Sequence, residues 1–118
     1  MKLNHLNLTV SDALATRDFL IKYFGLRPMR EAGDSAAMAF ATDENGMVLS
    51  MFRGKRGEEP EYPGFFHIGF IQESEEKVNE INQLLKDDGY DVPPPSRQHG
   101  SWTFYFIAPG GVRIEVLA

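Results

Sequence analysis

Two histidines and one glutamate occupy positions from which they could bind a metal ion together. His5, His67 and Glu115 each lie in a stretch where polar and apolar residues alternate, and such alternation predicts a strand with one apolar face and one mixed face. All three side chains fall on the mixed face of their stretch. Two imidazoles and one carboxylate with open positions suit a borderline divalent ion such as Fe(II), Mn(II), Ni(II) or Zn(II). The residue types therefore predict a metal site.

Each of these residues also has an ordinary structural explanation. A histidine is often a core residue that a neighbour satisfies, and Glu115 could instead pair with Arg113 on the same strand, because a buried charge needs a partner. The metal site is favoured because His5 and His67 stand at equivalent places in two similar halves of the chain.

Those two halves predict the same order of elements. Ser11 and Asp12 offer a cap for a first helix that ends at Gly25. Ser74 offers a cap for a second helix that ends at Gly89. The predicted strands are residues 1–10, Leu26–Glu31, Ala36–Thr42 and Met47–Arg53 in the first half, and Phe65–Ile71, Tyr90–Val92, Trp102–Ala108 and Val112–Leu117 in the second. Each half is therefore predicted to be a βαβββ module.

The composition predicts one globular domain that does not use nucleic acid or a membrane as its main partner. With 118 residues, the chain is long enough to bury a core without disulfides. The net charge of −5 disfavours nucleic acid and anionic membranes. The absence of cysteine excludes thiolate ligands and cysteine nucleophiles. Together with the absence of a leader or a long apolar run, it favours a cytoplasmic protein.

At the positions singled out above, the sequence resembles the vicinal oxygen chelate superfamily. This superfamily includes glyoxalases, bleomycin-resistance proteins, fosfomycin-resistance thiol transferases and extradiol dioxygenases. The resemblance covers essentially the whole chain, and it is carried by His5–Asp12, Phe24–Leu26, Phe66–Phe70 and Tyr105–Glu115. It implies an α+β fold in which two βαβββ modules form an open mixed sheet that encloses a cleft. The modules would be residues 1–53 and 65–118 of one domain over 1–118, joined by a linker at 54–64.

The resemblance also implies a ligand set. The two histidines of the family fall on His5 and His67, and its final glutamate falls on Glu115. A further ligand position falls on Ser50, where glyoxalase I-like and epimerase-like members usually carry Glu or Gln. Fosfomycin-type enzymes usually have Thr where this chain has Asn7. The chain therefore departs from both the lactoylglutathione lyase pattern and the fosfomycin pattern.

The function implied is that of a metal-dependent, glyoxalase-like enzyme of the lyase or isomerase type. Its substrate would be a small molecule with vicinal oxygens, and the ion would act as a Lewis acid. Glu115 or His99 could serve as the base, and Tyr105 matches a cleft tyrosine of the fosfomycin branch. The candidate substrate-binding residues are Asn7, Ser50, Arg53 and Trp102.

Other functions within the superfamily stay open. One is a metal-free protein of the bleomycin-resistance type that binds a small molecule, with which the acidic net charge is compatible. Another is a fosfomycin-type thiol transferase or an extradiol dioxygenase. Members of this size are commonly dimers, so the resemblance implies a homodimer in which His5 of one chain completes a site with His67 and Glu115 of the other.

Overall fold

The computed structural model describes residues 1–29 and 33–118. Its elements, in chain order, are β1 (His5–Val10), α1 (Ala13–Phe24), β2 (Arg27–Pro28), β3 (Met38–Thr42), β4 (Val48–Arg53), β5 (Ile68–Ile71), α2 (Glu75–Asp87), β6 (Ser96–Gln98), β7 (Ser101–Ile107) and β8 (Arg113–Leu117). Two helices and two four-stranded mixed sheets confirm the α+β class and the two βαβββ modules. The end of the predicted strand Leu26–Glu31 lies outside the described residues.

The chain divides into two compact units. The first comprises Met1–Tyr62 and Ala108–Val112, and the second comprises Pro63–Ile107 and Arg113–Ala118. The division falls within the predicted linker, and the turn between β7 and β8 belongs to the first unit. A single domain over the whole chain stays a prediction.

The sheet of the first unit has the order β1-β4-β3-β2, with β1 parallel to β4. Helix α1 makes the crossover that parallel strands require, and it packs on β3 and β4. On β1, Leu8 and Val10 are buried, whereas His5, Asn7 and Thr9 are exposed on the opposite face. The predicted alternation of the first stretch is therefore confirmed.

The sheet of the second unit has the order β5-β8-β7-β6, with β5 parallel to β8. Helix α2 buries Val78 and Leu85 while it packs on β7 and β8, and Phe104 and Val116 are buried on those strands. Complete burial of such a side chain contributes about 1.5–3 kcal/mol. This packing leaves the opposite face of the sheet for polar residues.

Both helices begin at predicted caps. The side chain of Asp12 accepts a hydrogen bond from the backbone N–H of Ala15 at 3.0 Å, and that of Ser74 accepts one from Lys77 at 3.1 Å. Such caps satisfy backbone donors that have no partner inside the helix. Helix α1 ends at Phe24 and is capped by Gly25, which has a φ of 69°.

The second strand of the second unit lies elsewhere than predicted. Tyr90–Val92 is not a strand, and β6 forms after the three prolines instead. It pairs with β7 across the two-residue turn His99–Gly100, where both φ values are positive, at 53° and 79°. A turn of this kind matches the twist of the strands that it joins, so the turn rather than the apolar run decides which residues pair.

Most other strands begin later than predicted, and β1 and β5 differ the most. β1 begins at His5 and not at Met1, and Leu3 is exposed. β5 begins at Ile68 and not at Phe65, so His67 immediately precedes the strand. Among the described residues, neither helix is long and apolar enough to cross a membrane.

Candidate metal site

The position of Glu115 in the second unit is set by its two neighbouring strands. On β8, Glu115 lies opposite Gly69 of β5 and opposite Tyr105 of β7. Gly69 has no side chain, and a Cβ built there would lie 3.7 Å from Oε2 of the carboxylate. Oε2 lies 3.3 Å from Nε2 of His67. Glu115 is 9% exposed, so its carboxylate is largely shielded from water and needs polar partners.

The ring of His67 is held by its other nitrogen. Nδ1 lies 2.9 Å from the carbonyl oxygen of Phe65. A carbonyl can only accept, so Nδ1 carries a hydrogen and donates it. Nε2 is then the nitrogen that faces Glu115, and it is either protonated or free to bind a cation through its lone pair. Metal-binding histidines are typically oriented by such a hydrogen bond.

Tyr105 lies beside this pair. Its ring meets that of His67 edge to face, with 5.3 Å between the centroids. Burial raises the pKa of Tyr105, and the nearby Glu115 raises that pKa further by hydrogen bonding and by its charge. The phenol therefore keeps its proton at neutral pH and can serve as a hydrogen-bond donor. The sequence left open which face Tyr105 occupies, and the structure places it on the face of Glu115.

A residue that sequence reasoning missed completes this cluster. The hydroxyl of Thr103 donates a hydrogen bond to Oε1 of Glu115 at 2.9 Å. Thr103 is fully buried. One feature of the sequence could have identified it. Thr103 is a polar residue in a largely aromatic stretch, and it lies two positions from Tyr105, so the two side chains share a face of the strand.

The candidate residues of the first unit share the exposed face of β1 and β4. Asn7 donates a hydrogen bond from Nδ2 to Oγ of Ser50 at 2.8 Å, since the two are register partners. His5 is exposed, and its Nδ1 lies 2.9 Å from Oδ1 of Asn4. An amide oxygen accepts, so Nδ1 of His5 donates and its Nε2 is left available.

Three other candidates lie away from these faces. Arg53 follows Ser50 by three residues at the end of β4, so parity puts it on the opposite face of the sheet. Trp102 donates from Nε1 to Asn79 of α2 at 2.8 Å, on the helix side of β7. His99 lies exposed in the turn between β6 and β7. The roles proposed for them in substrate binding or as a base stay predictions.

A cavity of about 450 Å³ opens in the first unit, next to the end of β1. Three acidic linker residues and one lysine contribute to its wall: Glu58, Glu59, Glu61 and Lys55. None of the candidate metal ligands lines it. The cavity is therefore lined by residues of the first unit alone.

The donors present fit a borderline divalent ion in type, since imidazole nitrogen and carboxylate oxygen are its usual ligands. The structure brings together His67 and Glu115, and His5 belongs to the other unit. Within the described residues, no three His, Asp or Glu side chains are gathered so that they could hold a metal ion. The second unit thus supplies two of the three predicted ligands.

Comparison with known proteins identifies the family. Residues 2–116 match the model of the Glyoxalase/Bleomycin resistance protein/Dioxygenase superfamily. No protein of curated function matches the chain. A solved structure described as a possible glyoxalase from Bacillus cereus is 50% identical, covers 100% of this chain and 99% of its own, and superposes with a TM-score of 0.88.

More distant structures share the fold. Lactoylglutathione lyase from Agrobacterium tumefaciens is 17% identical, with coverage of 98% of this chain and 92% of its own and a TM-score of 0.73. A mutant of the fosfomycin resistance protein FosX from Listeria monocytogenes, complexed with Mn(II) and 1S,2S-dihydroxypropylphosphonic acid, is 22% identical. The alignment covers 99% of this chain and 89% of that one, with a TM-score of 0.77. Because the family model spans nearly the entire sequence, the chain belongs to the glyoxalase/bleomycin resistance protein/dioxygenase superfamily, also called the vicinal oxygen chelate superfamily.

Proposed function

We propose that this protein is a metal-dependent, glyoxalase-like enzyme of the lyase or isomerase type that acts on a small molecule with vicinal oxygens. His5, His67 and Glu115 would hold a divalent ion, Fe, Mn, Ni or Zn. The observation that carries the proposal is the approach of His67 Nε2 to Glu115 Oε2, at 3.3 Å, while Nδ1 of the same ring is engaged by the Phe65 carbonyl.

This approach supports a cation site because of what the two atoms need. With Nδ1 donating to Phe65, Nε2 of His67 has a lone pair directed at a carboxylate unless it takes up a second proton. Two acceptors that face each other at this distance require positive charge between them, which either a proton or a metal ion supplies. The ring and the carboxylate are both held by other hydrogen bonds, so the pair is ordered before a ligand arrives, which reduces the entropic cost of binding.

The residues around the pair would handle the substrate. A bound divalent ion supplies a Lewis acid that stabilises negative charge developing on a substrate oxygen. Tyr105, as a protonated phenol on the same face, would redirect its one hydrogen from Glu115 to a second substrate oxygen. Glu115 would serve as the base by displacement of its carboxylate from the ion, accepting a proton from the substrate. Asn7 and Ser50 would contact polar groups of the substrate from the sheet of the first unit.

Two relatives support the ligand class. The FosX mutant was crystallised with Mn(II) and a dihydroxy compound whose two hydroxyl groups are adjacent, which is the vicinal arrangement proposed here. The Bacillus cereus protein, with half of its residues identical to this chain, is itself described as a possible glyoxalase. As part of the proposal, we extend to this chain the binding of a divalent ion with a vicinal-oxygen compound and the glyoxalase-like activity.

The proposal includes a homodimer that acts in the cytoplasm. The second unit gathers two of the three proposed ligands, His67 and Glu115, and His5 lies in the first unit. In a twofold dimer each site can be completed by the same residue of the other chain. His5 would be that residue. Its Nε2 is the free nitrogen of an exposed ring, so it is available to such a partner.

Metal analysis tests the proposed function. Protein purified without chelators should contain stoichiometric Fe, Mn, Ni or Zn, or should bind Mn(II) when titrated in a calorimeter. His67→Ala and Glu115→Ala should lose that binding. His99→Ala is the matched control, because His99 is an exposed histidine of the same unit that contacts neither ligand. Wild-type protein that is empty of metal and binds none on titration would contradict the proposal and favour a metal-free binding protein.

A further inference from the structure

Thr103 is a buried polar residue that the proposed chemistry does not use. It lies on β7, two residues before Tyr105, and it is 0% exposed. Its Oγ lies 2.9 Å from Oε1 of Glu115 and 3.0 Å from the carbonyl oxygen of Val116. Both neighbours accept hydrogen bonds, but a hydroxyl has one hydrogen to donate.

The sheet decides which acceptor receives that hydrogen. Trp102 and Ala118 exchange both of their backbone hydrogen bonds, at 2.8 and 3.0 Å. In an antiparallel ladder such pairs recur at every second residue, so Phe104 and Val116, which are register partners, form the next one. The carbonyl of Val116 therefore already accepts from a backbone N–H. A carboxylate is also the stronger acceptor, so the threonine hydroxyl donates to Oε1.

We propose that Thr103 is a positioning residue that orients the Glu115 carboxylate for the metal ion, an inference that rests on the proposed function. Its hydroxyl holds Oε1, and this leaves Oε2, which faces Nε2 of His67, as the oxygen that would hold the ion. Fixing one oxygen prevents the carboxylate from rotating. Because Oε1 is engaged, Glu115 would hold the ion with Oε2.

Two substitutions separate the hydroxyl from the shape of the side chain. Thr103→Val replaces the hydroxyl by a methyl group of similar size, and Thr103→Ser keeps the hydroxyl. In calorimetric titrations of the metal-free protein with Mn(II), Thr103→Val should raise the Kd by about 10- to 100-fold, the usual effect of losing a hydrogen bond to a metal ligand. Thr103→Ser should stay close to the wild-type Kd. Should Thr103→Val fail to fold, Thr103→Ala gives the same comparison.

Thr16 provides a matched control in the first unit. It is also buried, at 2% exposed, and its Oγ likewise lies near two acceptors, the carbonyl oxygens of Asp12 at 2.7 Å and Pro109 at 3.2 Å. Thr16→Val should lower the melting temperature, as Thr103→Val does, because each loses a buried hydrogen bond. It should leave the Kd for Mn(II) unchanged.

The outcomes distinguish this inference from the proposed function. If Thr103→Val binds Mn(II) as tightly as the wild type while its melting temperature falls, Thr103 is only structural. The positioning role is then overturned and the metal site stands. If the wild-type protein itself binds no metal, both proposals are overturned.

Discussion

Asn7 donates a hydrogen bond to Oγ of Ser50 across the parallel pair β1 and β4, at 2.8 Å. Ser50 is 7% exposed, and its Oγ also lies 3.4 Å from the carbonyl oxygen of Leu6. At this place glyoxalase I-like members usually carry a Glu or Gln ligand. In this chain the hydroxyl is occupied by protein neighbours, so the proposed ligand set does not depend on it.

Ser50→Ala should therefore leave metal binding intact. The substitution removes the acceptor of Asn7 and should lower the free energy of unfolding by about 1 kcal/mol, measured by urea denaturation. The Kd for Mn(II), measured by calorimetry, should equal that of the wild type. A clear rise in Kd for Ser50→Ala would instead make Ser50 a ligand.

Mixed dimers test whether the site is shared between chains. His5→Ala and Glu115→Ala should each abolish metal binding when pure. When the two variants are refolded together, each mixed dimer should regain one intact site, which gives about a quarter of the wild-type binding capacity if pairing is random. The readout is the metal content after dialysis. No recovery on mixing would place all three ligands in one chain or reject the dimer.

His99→Asn should stabilise the protein without affecting metal binding. His99 has a φ of 53° and Gly100 has a φ of 79°, a combination in which Asn is the preferred first residue of a two-residue turn. We expect a gain of about 0.5 kcal/mol in the free energy of unfolding. Enzymatic turnover, once a substrate is found, should survive the change. A large loss of turnover would show instead that His99 is the base.

Gly110 should tolerate a side chain far less well than Gly46. A Cβ at Gly110 would collide with the Thr16 hydroxyl, and the φ there is 100°. Gly110→Ala should cost about 2–3 kcal/mol because clash and backbone strain add. Gly46 has a similar φ, 83°, but nothing within 4 Å, so Gly46→Ala should cost only about 1 kcal/mol. Equal melting temperatures for the two variants would contradict this account of the turn.

Tyr62 should make the free energy of unfolding depend on pH in the alkaline range. Its hydroxyl donates to the carbonyl of Thr9, and burial raises its pKa above 10.0. A raised pKa means that the contribution to stability is complete below the unfolded pKa and is lost as the pH rises through the folded one. The wild type should be more stable than Tyr62→Phe by up to about 1 kcal/mol near neutral pH. In urea denaturation, that difference should shrink above pH 10; a constant difference would show that the phenol does not titrate with unfolding.

Local patterns in the sequence predicted a large part of this fold. The alternation in β1 separates His5 from Leu8 because successive strand residues point to opposite faces. Asp12 and Gly25 delimit α1 because capping depends on a few neighbouring residues only. The same local rules predicted that the order of elements repeats in the two halves. The motifs within those elements indicated the superfamily. These properties were predictable because each depends on residues close together in the chain.

Only the tertiary structure decided which side chains meet. Alternation placed Glu115 on a mixed face, but the register of three strands brought its carboxylate to His67 and to the hydroxyl of Thr103. Residues far apart in sequence form these contacts, and a shift of one residue in pairing would turn every side chain to the other face. For the same reason β6 formed beyond the prolines, because its pairing follows from the turn at His99. The residue types and their local pattern thus determined the candidate ligands, and long-range strand pairing determined which of them are neighbours.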